Sequence, residues 1–320
     1  YCPKSMKVMD TQDLHFLRKL RTLMVKNEDE GGEETDEKHL VSSQQSKMDW
    51  SLMEAREDIA RELGSIYRSD LTFLVSSVEQ DILESTFHVP SSRLSKLSLL
   101  YPDNMFPSPE KEDPFPSFPY RRGFVSLGSF RHPPNRDSVK CLTTKIWPEI
   151  LKEFQARSMD VPELYICGSY ALPKKDKLLA NLHPTIRVLG HVENQFTTLR
   201  THRVLVSPLR FGAGVKGKIA DAWMVRTPVV TTSIGAEDMS FDNEFGGYVC
   251  DSVPDFVKRS VDMYSNPETW QAKSSKGHEI ASARYRASSN VSHALQSMES
   301  RLAELESFRK QDWVGSMLKY

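Results

Sequence analysis

The sequence has 320 residues, with 42 Lys and Arg against 43 Asp and Glu and a formal net charge of -1 at pH 7. This balance argues against a protein that grips nucleic acid, because neutralising phosphates needs a clustered excess of basic side chains. Hydrophobic residues make up 39% of the chain, which is ordinary for a globular protein, and no apolar run approaches the ~18 residues that a membrane span needs. The length predicts two domains, since most domains contain about 100–200 residues.

The four cysteines, Cys2, Cys141, Cys167 and Cys250, are far apart in the sequence. They form no CxxC pair and have no histidine at the spacing of a zinc site, so we expect reduced core thiols and no metal. The chain begins with Tyr1 and lacks the charged and apolar regions of a secretory signal, which indicates a fragment or a processed product. The expected location is cytoplasmic.

Residues 1–101 predict a small domain in which helices and strands alternate. An acidic stretch with a Gly pair, EDEGGEETDEK, cannot bury enough apolar surface to offset the entropy of ordering it, so we predict a disordered loop at 27–48. The later segments follow βαβ order, which implies parallel pairing of the strands. They are a helix at 53–67, a strand at 71–77, a helix at 78–86 and a strand at 97–101.

Six prolines lie between Pro102 and Pro119. Proline lacks a backbone donor and fits neither a helix interior nor a central strand, so 102–122 is predicted to be a linker.

Strands and helices alternate regularly from Gly123 onward. Each strand is short, rich in Val, Ile and Leu and bounded by turn residues, which is typical of a buried parallel sheet. We therefore predict a doubly wound α/β domain at 123–280. Its predicted strands are 123–130, 163–169, 186–192, 203–209, 228–234 and 247–251, and its predicted helices are 135–156, 174–182, 194–201, 216–225 and 254–265.

The last segment, 281–320, has apolar residues spaced three and four apart, which predicts one stripe on a helix. The stripe consists of Val291, Leu295, Met298, Leu302 and Leu305. We expect this helix to pack back on the domains, with coiled-coil pairing as the alternative.

A Gly-rich loop joins the predicted strand 203–209 to the next helix. In open parallel sheets ligands bind at the carboxyl ends of strands, and glycines allow the backbone to approach a ligand closely. Arg210, Lys216 and Lys218 add positive charge where a helix begins, so the loop has the features of a diphosphate site. Its spacing fits neither GxxxxGK[ST] nor GxGxxG, and the glycines could serve only as turn residues.

Asp221 follows in the same predicted helix, one turn beyond the two lysines. A carboxylate there can accept hydrogen bonds from a vicinal diol such as a ribose. The alternative is an ordinary surface aspartate.

Four stretches in this order and spacing make the chain similar to retaining glycosyltransferases of family 4, which are glycosyl transferases of group 1. They are VMDTQDLHFLR at 8–18, FVSLGSFRHPPN at 124–135, RVLGHVEN at 187–194 and FGAGVKGKIADAWMVRTPVVTTSIGAEDM at 211–239. The resemblance implies the GT-B fold, an α/β fold with two Rossmann-like doubly wound parallel-sheet domains that face each other across a cleft. Family members usually carry further strands before the first stretch, so the N-terminal domain is expected to be incomplete.

The resemblance also implies a function. A nucleotide-diphosphate sugar is expected to bind mainly to the C-terminal domain, and an acceptor of unknown type, a glycan, a lipid or a small molecule, to the N-terminal domain. Sugar transfer is expected to retain the anomeric configuration, with no metal and no cofactor. We expect no nucleic-acid partner and no transmembrane segment, and leave peripheral membrane contact open.

Carried over position by position, the resemblance assigns roles to several residues. The catalytic group would be Arg210, Lys216 and His15. The donor diphosphate would be bound by Gly128, Gly212, Ala213, Gly214, Val215 and Lys216, the ribose by Asp221, and the nucleobase by the loop at His191 and Val192. Structural alternatives stay open for two of these places, because His15 could be a satisfied structural histidine and 191–192 a plain strand-end turn. Asp13 is expected to cap a helix.

Three positions depart from the family pattern. Ala213 stands where the family commonly has the first of two glutamates, Arg226 where it usually has Gly, and Asp238 where GAEGM would be typical. The alternatives to a transferase are a non-catalytic GT-B scaffold or regulatory protein and a GT-B sugar-nucleotide epimerase.

Overall fold

Two parallel β-sheets organise the chain. The computed structural model describes residues 4–30, 39–41, 48, 50, 53–106, 115–171, 177–179 and 182–318. A three-stranded sheet forms near the amino terminus, and a six-stranded sheet forms after the Pro-rich segment. Within the described residues, no helix is long and apolar enough to cross a bilayer.

The first sheet has strand order β1-β2-β3, with both pairs parallel. Its strands are β1 (Val8–Asp10), β2 (Leu71–Leu74) and β3 (Leu94–Lys96), and its helices are α1 (His15–Glu30), α2 (Met53–Arg68) and α3 (Ser77–Ser85). The prediction of a strand at 97–101 was wrong, because β3 ends at Lys96. Lys96 pairs with Leu74, the last residue of β2, so the ladder has no further partner strand. A core under this sheet joins α1 and α2 through Leu17, Leu20 and Ile66.

Part of the predicted disordered loop at 27–48 is ordered. Residues 27–30 continue α1, and Leu40 is buried in the core of the second sheet, where its amide donates to Asp251 O at 2.8 Å. The remaining residues of the loop, apart from 39, 41 and 48, lie outside the described part of the chain. The acidic composition predicted disorder, but Asp29 near the end of α1 pairs with the basic side chain of Arg210 in the other domain.

The second sheet contains β4 (Phe124–Leu127), β5 (Leu164–Cys167), β6 (Ile186–Gly190), β7 (Val204–Ser207), β8 (Val229–Thr231) and β9 (Gly247–Val249). All pairs are parallel, and the order is β6-β5-β4-β7-β8-β9. The strand order therefore reverses between β4 and β7. In a doubly wound sheet, a crevice for ligands opens at such a reversal, outside the carboxyl ends of the two strands.

Helices cover both faces of this sheet. They are α4 (Pro133–Cys141), α5 (Trp147–Ala156), α6 (Gln195–Thr201), α7 (Gly217–Met224), α8 (Ser233–Ala236) and α9 (Val253–Ser265). A π-helical segment, Leu142–Ile146, joins α4 to α5, so the predicted helix 135–156 is continuous but irregular. Of the predicted helix 174–182, the structure describes the short 3-10 turn Lys177–Leu179 and residue 182; the rest lies outside the described residues.

The carboxyl-terminal segment is not one helix. It consists of α10 (Pro267–Arg284), α11 (Ala287–Ala303), α12 (Leu305–Gln311) and α13 (Trp313–Met317). The predicted stripe was also wrong, since Leu295 and Leu302 are 52% and 58% exposed. The face that packs on the first sheet carries Met298, which the stripe included, and Ala294, which it did not, because the small alanine lets α11 approach Leu71 and Phe73 closely.

The predicted linker packs on the second domain. Arg121 is fully buried and donates to Val225 O and to Thr227 Oγ1, each at 2.7 Å. Short 3-10 turns occupy Asp103–Met105 and Phe118–Tyr120, and residues 107–114 lie outside the described chain.

Candidate functional site

The Gly-rich loop lies at the reversal of the strand order. Gly128 directly follows β4, and residues 208–216 join β7 to α7. Because β4 and β7 are paired in parallel, their carboxyl ends open at the same edge of the sheet. Gly128 and the Gly-rich loop are thereby brought together, as a diphosphate site would require.

The second half of this loop has a row of backbone amides with no partner among the described residues. Across the part of the chain that the structure describes, no hydrogen-bond acceptor serves the amides of residues 212–216. Gly212 and Gly214 adopt φ angles of 155° and 65°, a backbone region that glycine enters without steric cost. Buried amides nearly always find a partner in native proteins. A row of them without one, before a helix amino terminus, is suited to an anion.

Lys216 turns back over the loop. Its ammonium group donates to the carbonyls of Ala213 and Gly214. Burial lowers the pKa of Lys216 to about 8, against the attraction of Glu237. With a pKa this close to neutrality, Lys216 would become more fully protonated when an anion binds beside it.

Lys218 links the loop to the element that follows β4. Its ammonium group lies 2.6 Å from Asn135 Oδ1, and Asn135 in turn donates to Ser129 O at 2.9 Å. Burial and, to a smaller extent, the neighbouring charge of Lys216 lower the pKa of Lys218 to about 7. A Cβ on Gly128 would lie only 2.6 Å from Asn135 Cγ, so this position needs glycine for space.

Arg210 is held by two carboxylates. Its guanidinium makes two bonds to Asp29, both 2.9 Å, and two to Asp137, of 2.8 and 2.5 Å. Burial alone would lower the pKa of Arg210, but the bonds to the two aspartates outweigh burial and raise it. The cation that the sequence assigns to the diphosphate is thus neutralised from within the protein.

Asp221 faces a tyrosine from the segment that joins the domains. The Tyr101 hydroxyl donates to Asp221 Oδ1 at 2.6 Å. Burial raises the pKa of Asp221 to about 6, and the hydrogen bond from Tyr101 opposes that rise. Asp221 is half-buried in α7 and is not a freely solvated surface residue.

The amino terminus of α1 is closed by carboxylates. Glu62 accepts from the amides of His15 and Phe16, at 2.9 and 2.7 Å, and Glu79 accepts from Leu14 at 2.9 Å. The prediction that Asp13 caps this helix was wrong, because glutamates from α2 and α3 accept the hydrogen bonds of the free amides. Asp13 instead contacts the His15 ring and Arg18.

His15 itself is 65% exposed, with Nε2 at 3.2 Å from Asp13 Oδ1. Its place beside Asp13 matters, because a Cβ on Gly214 would lie 3.0 Å from Asp13 Cβ. The turn before α1 therefore touches the Gly-rich loop of the other domain. Arg21 strengthens this contact by donating to Gly212 O at 2.7 Å and pairing with Glu237 at 2.6 Å.

Glu79 is buried in the same region. Its pKa is raised to about 7 by burial, while the Leu14 amide opposes the rise. Among the described residues, Glu79 Oε2 has no hydrogen-bond partner. Sequence reasoning missed Glu79, Arg21 and Glu237; only Glu237, inside the GAEDM stretch, was in a motif that could have indicated it.

The other two expected positions follow β6, the edge strand that β5 separates from β4. His191 is exposed and Val192 half-buried in the turn after β6. Val192 packs at the edge of a core cluster that also includes Phe196 and Val215. In the described chain no contact assigns His191 a role.

The two departures at Arg226 and Asp238 share one backbone property. Their φ angles are 57° and 55°, the left-handed region that explains the glycines of the family pattern. Arg226 ends α7. Asp238 contacts Lys96 at 2.7 Å and Ser77 N at 2.9 Å, both in the first domain.

The fold and this loop define the class. Two parallel sheets, the second with doubly wound order, and a loop rich in free amides at the strand reversal are the features of a GT-B protein. Residues 121–266 match the family model described as Glycosyl transferases group 1. The match and the fold confirm the expected similarity to glycosyl transferases of group 1 and the α/β GT-B fold. The first sheet has three strands in the described chain.

Solved structures agree on the fold. The chain is similar to a TarM variant of S. aureus, solved with fondaparinux, α-GlcNAc-glycerol and UDP, at 15% identity and a TM-score of 0.60, covering 75% of this chain and 46% of that one. Sucrose-phosphate synthase from Thermosynechococcus elongatus is 13% identical, with a TM-score of 0.63 and coverage of 92% and 68%. HepE from Anabaena, solved with UDP and glucose, is 13% identical, with a TM-score of 0.55 and coverage of 77% and 67%.

The chain thus spans about half the length of TarM, 46%. Among curated proteins, no sequence matches the chain. Within the described residues, His, Cys, Asp and Glu side chains form no group of three or more that could hold a metal ion.

Proposed function

We propose that this chain binds a nucleotide-diphosphate sugar and transfers the sugar to an acceptor with retention of anomeric configuration. The proposal rests on the row of amides at 212–216 that have no partner in the described part of the chain, beside Lys216 and Lys218 and at the strand reversal. Free amides before a helix, together with two lysines whose pKa values lie near neutrality, suit the two negative charges of a diphosphate diester.

In this proposal each part of the donor has its own residues. The diphosphate lies on Gly128 and the loop from Gly212 to Lys216, and Lys218 adds charge from the first turn of α7. The ribose faces Asp221, and the base borders the turn at 191–192. His15 is placed to approach the sugar or the acceptor, because its neighbour Asp13 touches Gly214.

The proposed chemistry depends on charge stabilisation. The bond between the anomeric carbon and the diphosphate oxygen breaks, and the acceptor oxygen bonds to the carbon on the same face. The acceptor proton passes to the leaving diphosphate, whose growing negative charge is stabilised by the loop amides and Lys216. One such contact is worth ~2–4 kcal/mol of barrier. The proposed reaction uses no metal and no cofactor.

The acceptor is proposed to bind on the first domain. TarM was solved with α-GlcNAc-glycerol and UDP, and HepE with UDP and glucose, which supports a uridine nucleotide as the first donor to test. A cytoplasmic location, peripheral membrane contact and the absence of a nucleic-acid partner stay predictions.

One observation favours a second candidate, a non-catalytic GT-B scaffold or regulatory protein. Arg210 is already neutralised by Asp29 and Asp137, and Ala213, where the family commonly has Glu, is packed in the core of the first domain. Such an arrangement could hold the domains together without turnover.

Calorimetry with UDP-glucose, UDP-GlcNAc and GDP-mannose tests the proposal. We expect saturable binding of at least one of them, weakened about 30-fold or more by Lys216→Ala, since a charged hydrogen bond is worth ~2 kcal/mol. Lys258→Ala, which removes an exposed lysine from α9 in the same domain, is the matched control and should bind normally. Absence of binding to every donor would reject the function. Binding without hydrolysis or transfer to any acceptor supplied would favour the scaffold.

A further inference from the structure

Tyr101 contacts the residue proposed to hold the ribose, although it belongs to a different part of the chain. Its hydroxyl occupies Asp221 Oδ1 at 2.6 Å. Within the described residues, Asp221 Oδ2 has no hydrogen-bond partner, and it is not sealed from solvent. One carboxylate oxygen is therefore committed to the protein and the other stays open to a ligand.

The position of Tyr101 is fixed by backbone bonds. Its amide donates to Tyr285 O at 2.9 Å, and its carbonyl accepts from Ala287 N at 2.8 Å. These two residues lie where α10 ends and α11 begins. The tyrosine ring also meets Phe196 edge to face, with centroids 6.3 Å apart. Because both its backbone and its ring are held in place, the Tyr101 side chain has little freedom to move. The orientation of the Asp221 carboxylate is therefore set by the position of the Tyr101 hydroxyl.

The surroundings suit a nucleoside. Val192, Phe196 and Val215 are half-buried apolar neighbours in the same core cluster that Tyr101 borders. They come from the turn after β6, from α6 and from the Gly-rich loop. Apolar walls with a few fixed polar groups are typical of small-molecule sites.

We propose that Tyr101 is the positioning residue of the ribose site, resting on the proposed function. By donating to Oδ1, the phenol turns Asp221 so that Oδ2 accepts from one hydroxyl of the ribose. A tyrosine oxygen that donates its proton still has lone pairs, so Tyr101 itself accepts from the second hydroxyl of the diol. The pair thus recognises a ribonucleotide and disfavours a deoxyribonucleotide.

The test compares ribose and deoxyribose ligands in the 320-residue chain. Affinities for UDP and 2′-deoxy-UDP, and for GDP and 2′-deoxy-GDP, are measured by calorimetry in the natural protein, Tyr101→Phe and Asp221→Asn. Hydrogen bonds to a charged group predict a ribose preference of about 10-fold or more in the natural protein. Tyr101→Phe keeps the ring and should bring this preference close to one, while the affinity for inorganic pyrophosphate stays unchanged.

Tyr248→Phe is the matched control, because Tyr248 also donates to a carboxylate, Asp262 Oδ2 at 3.1 Å, on the far edge of the same sheet. It should keep the full ribose preference. A preference that survives Tyr101→Phe, or an equal loss of pyrophosphate binding, would overturn the role of Tyr101 while leaving the nucleotide site intact. A natural protein that binds none of the nucleotides would reject the proposed function itself, and Tyr101 with it. Should Tyr101→Phe not fold, the Asp221→Asn variant must abolish the preference for the inference to stand.

Discussion

Arg210 and Asp29 form a two-bonded ion pair across the domain boundary, with both N–O distances at 2.9 Å. Asp29 lies near the end of α1, and Arg210 lies in the loop that joins β7 to α7. The bond to Arg210 holds the pKa of Asp29 below its ordinary value. If Arg210 binds the donor diphosphate as the resemblance implies, a carboxylate of the first domain competes with the ligand phosphate for the same cation.

Removing this competitor should tighten nucleotide binding. Asp29→Asn frees one face of Arg210, and a half-exposed pair of this kind is worth up to ~1 kcal/mol, or about fivefold in affinity. Calorimetry with UDP measures the gain. Asp58→Asn, which breaks the exposed pair with Lys19, should leave the affinity unchanged. Equal or weaker binding by Asp29→Asn would mean that Arg210 does not reach the diphosphate.

Binding of a nucleotide sugar should depend on pH with a maximum near neutrality. Asp221, with a pKa of about 6, must be ionised, whereas Lys218 and Lys216, with pKa values of about 7 and 8, must be protonated. Affinity should therefore fall below pH 6 and again above pH 7 to 8. A diphosphate diester does not itself titrate in this range, so calorimetry with UDP-glucose reports the protein groups.

One variant tests the alkaline side of this pH profile and another tests the acid side. Lys218→Arg should remove the part of the alkaline fall that begins near pH 7 and leave the part near pH 8 that Lys216 causes, because a guanidinium keeps its proton throughout this range. Asp221→Asn should remove the acid fall at lower overall affinity. A profile that is flat in the natural protein would contradict the placement of these three groups around the ligand.

Glu79 should make folding stability sensitive to pH. Its pKa rises from an ordinary value of 4.5 to about 7 in the folded protein, so the folded state holds the proton more tightly than the unfolded chain. The contribution to the free energy of unfolding is therefore largest below pH 4.5 and is lost as pH rises to 7, by about 3 kcal/mol. Glu79→Gln removes this change and should gain stability relative to the natural protein between pH 5 and 8.

Urea unfolding at pH 5, 6.5 and 8 measures that difference. The matched variant is Glu84→Gln, which changes a more accessible glutamate on the same helix and should show no such pH trend. A difference between Glu79→Gln and the natural protein that stays constant with pH would show that Glu79 is ionised when folded.

Two substitutions toward the family pattern should act with opposite sign. Arg226→Gly relieves a left-handed backbone at φ 57°, which costs a non-glycine residue about 1 kcal/mol, and should raise the midpoint of thermal unfolding. Asp238→Gly relieves similar strain but also removes contacts to Lys96, Ser77 and Arg284, and should lower it. Thermal melts of both variants distinguish these outcomes. A lower midpoint for Arg226→Gly would mean that its side chain contributes more than the strain costs.

The sequence predicted the second domain well because its signals are local. Each strand is a short buried run bounded by turns, and the observed strands lie inside the predicted ranges, as with β7 at Val204–Ser207 within 203–209. The Gly-rich loop was also found locally, since glycines, lysines and a helix start occur within ten residues.

Other features depend on partners far away in the sequence. Arg210 pairs with a residue 181 positions earlier, and Tyr101 meets Asp221 across 120 positions. No local pattern indicates such a pair. The stripe on the last segment failed for a related reason, because the face that α11 buries is selected by the sheet it packs on, where Ala294 fits and Leu295 does not.

The most direct test of the central claim follows the loop amides themselves. The chain has 15 glycines, so selective ¹⁵N-glycine labelling gives a simple spectrum in which Gly212 and Gly214 can be assigned by substitution. Titration with UDP should move these two amide signals saturably, with no comparable shift at the distant Gly64, and Lys216→Ala should weaken the response. Saturable UDP binding that leaves Gly212 and Gly214 unmoved would contradict a diphosphate site at this loop.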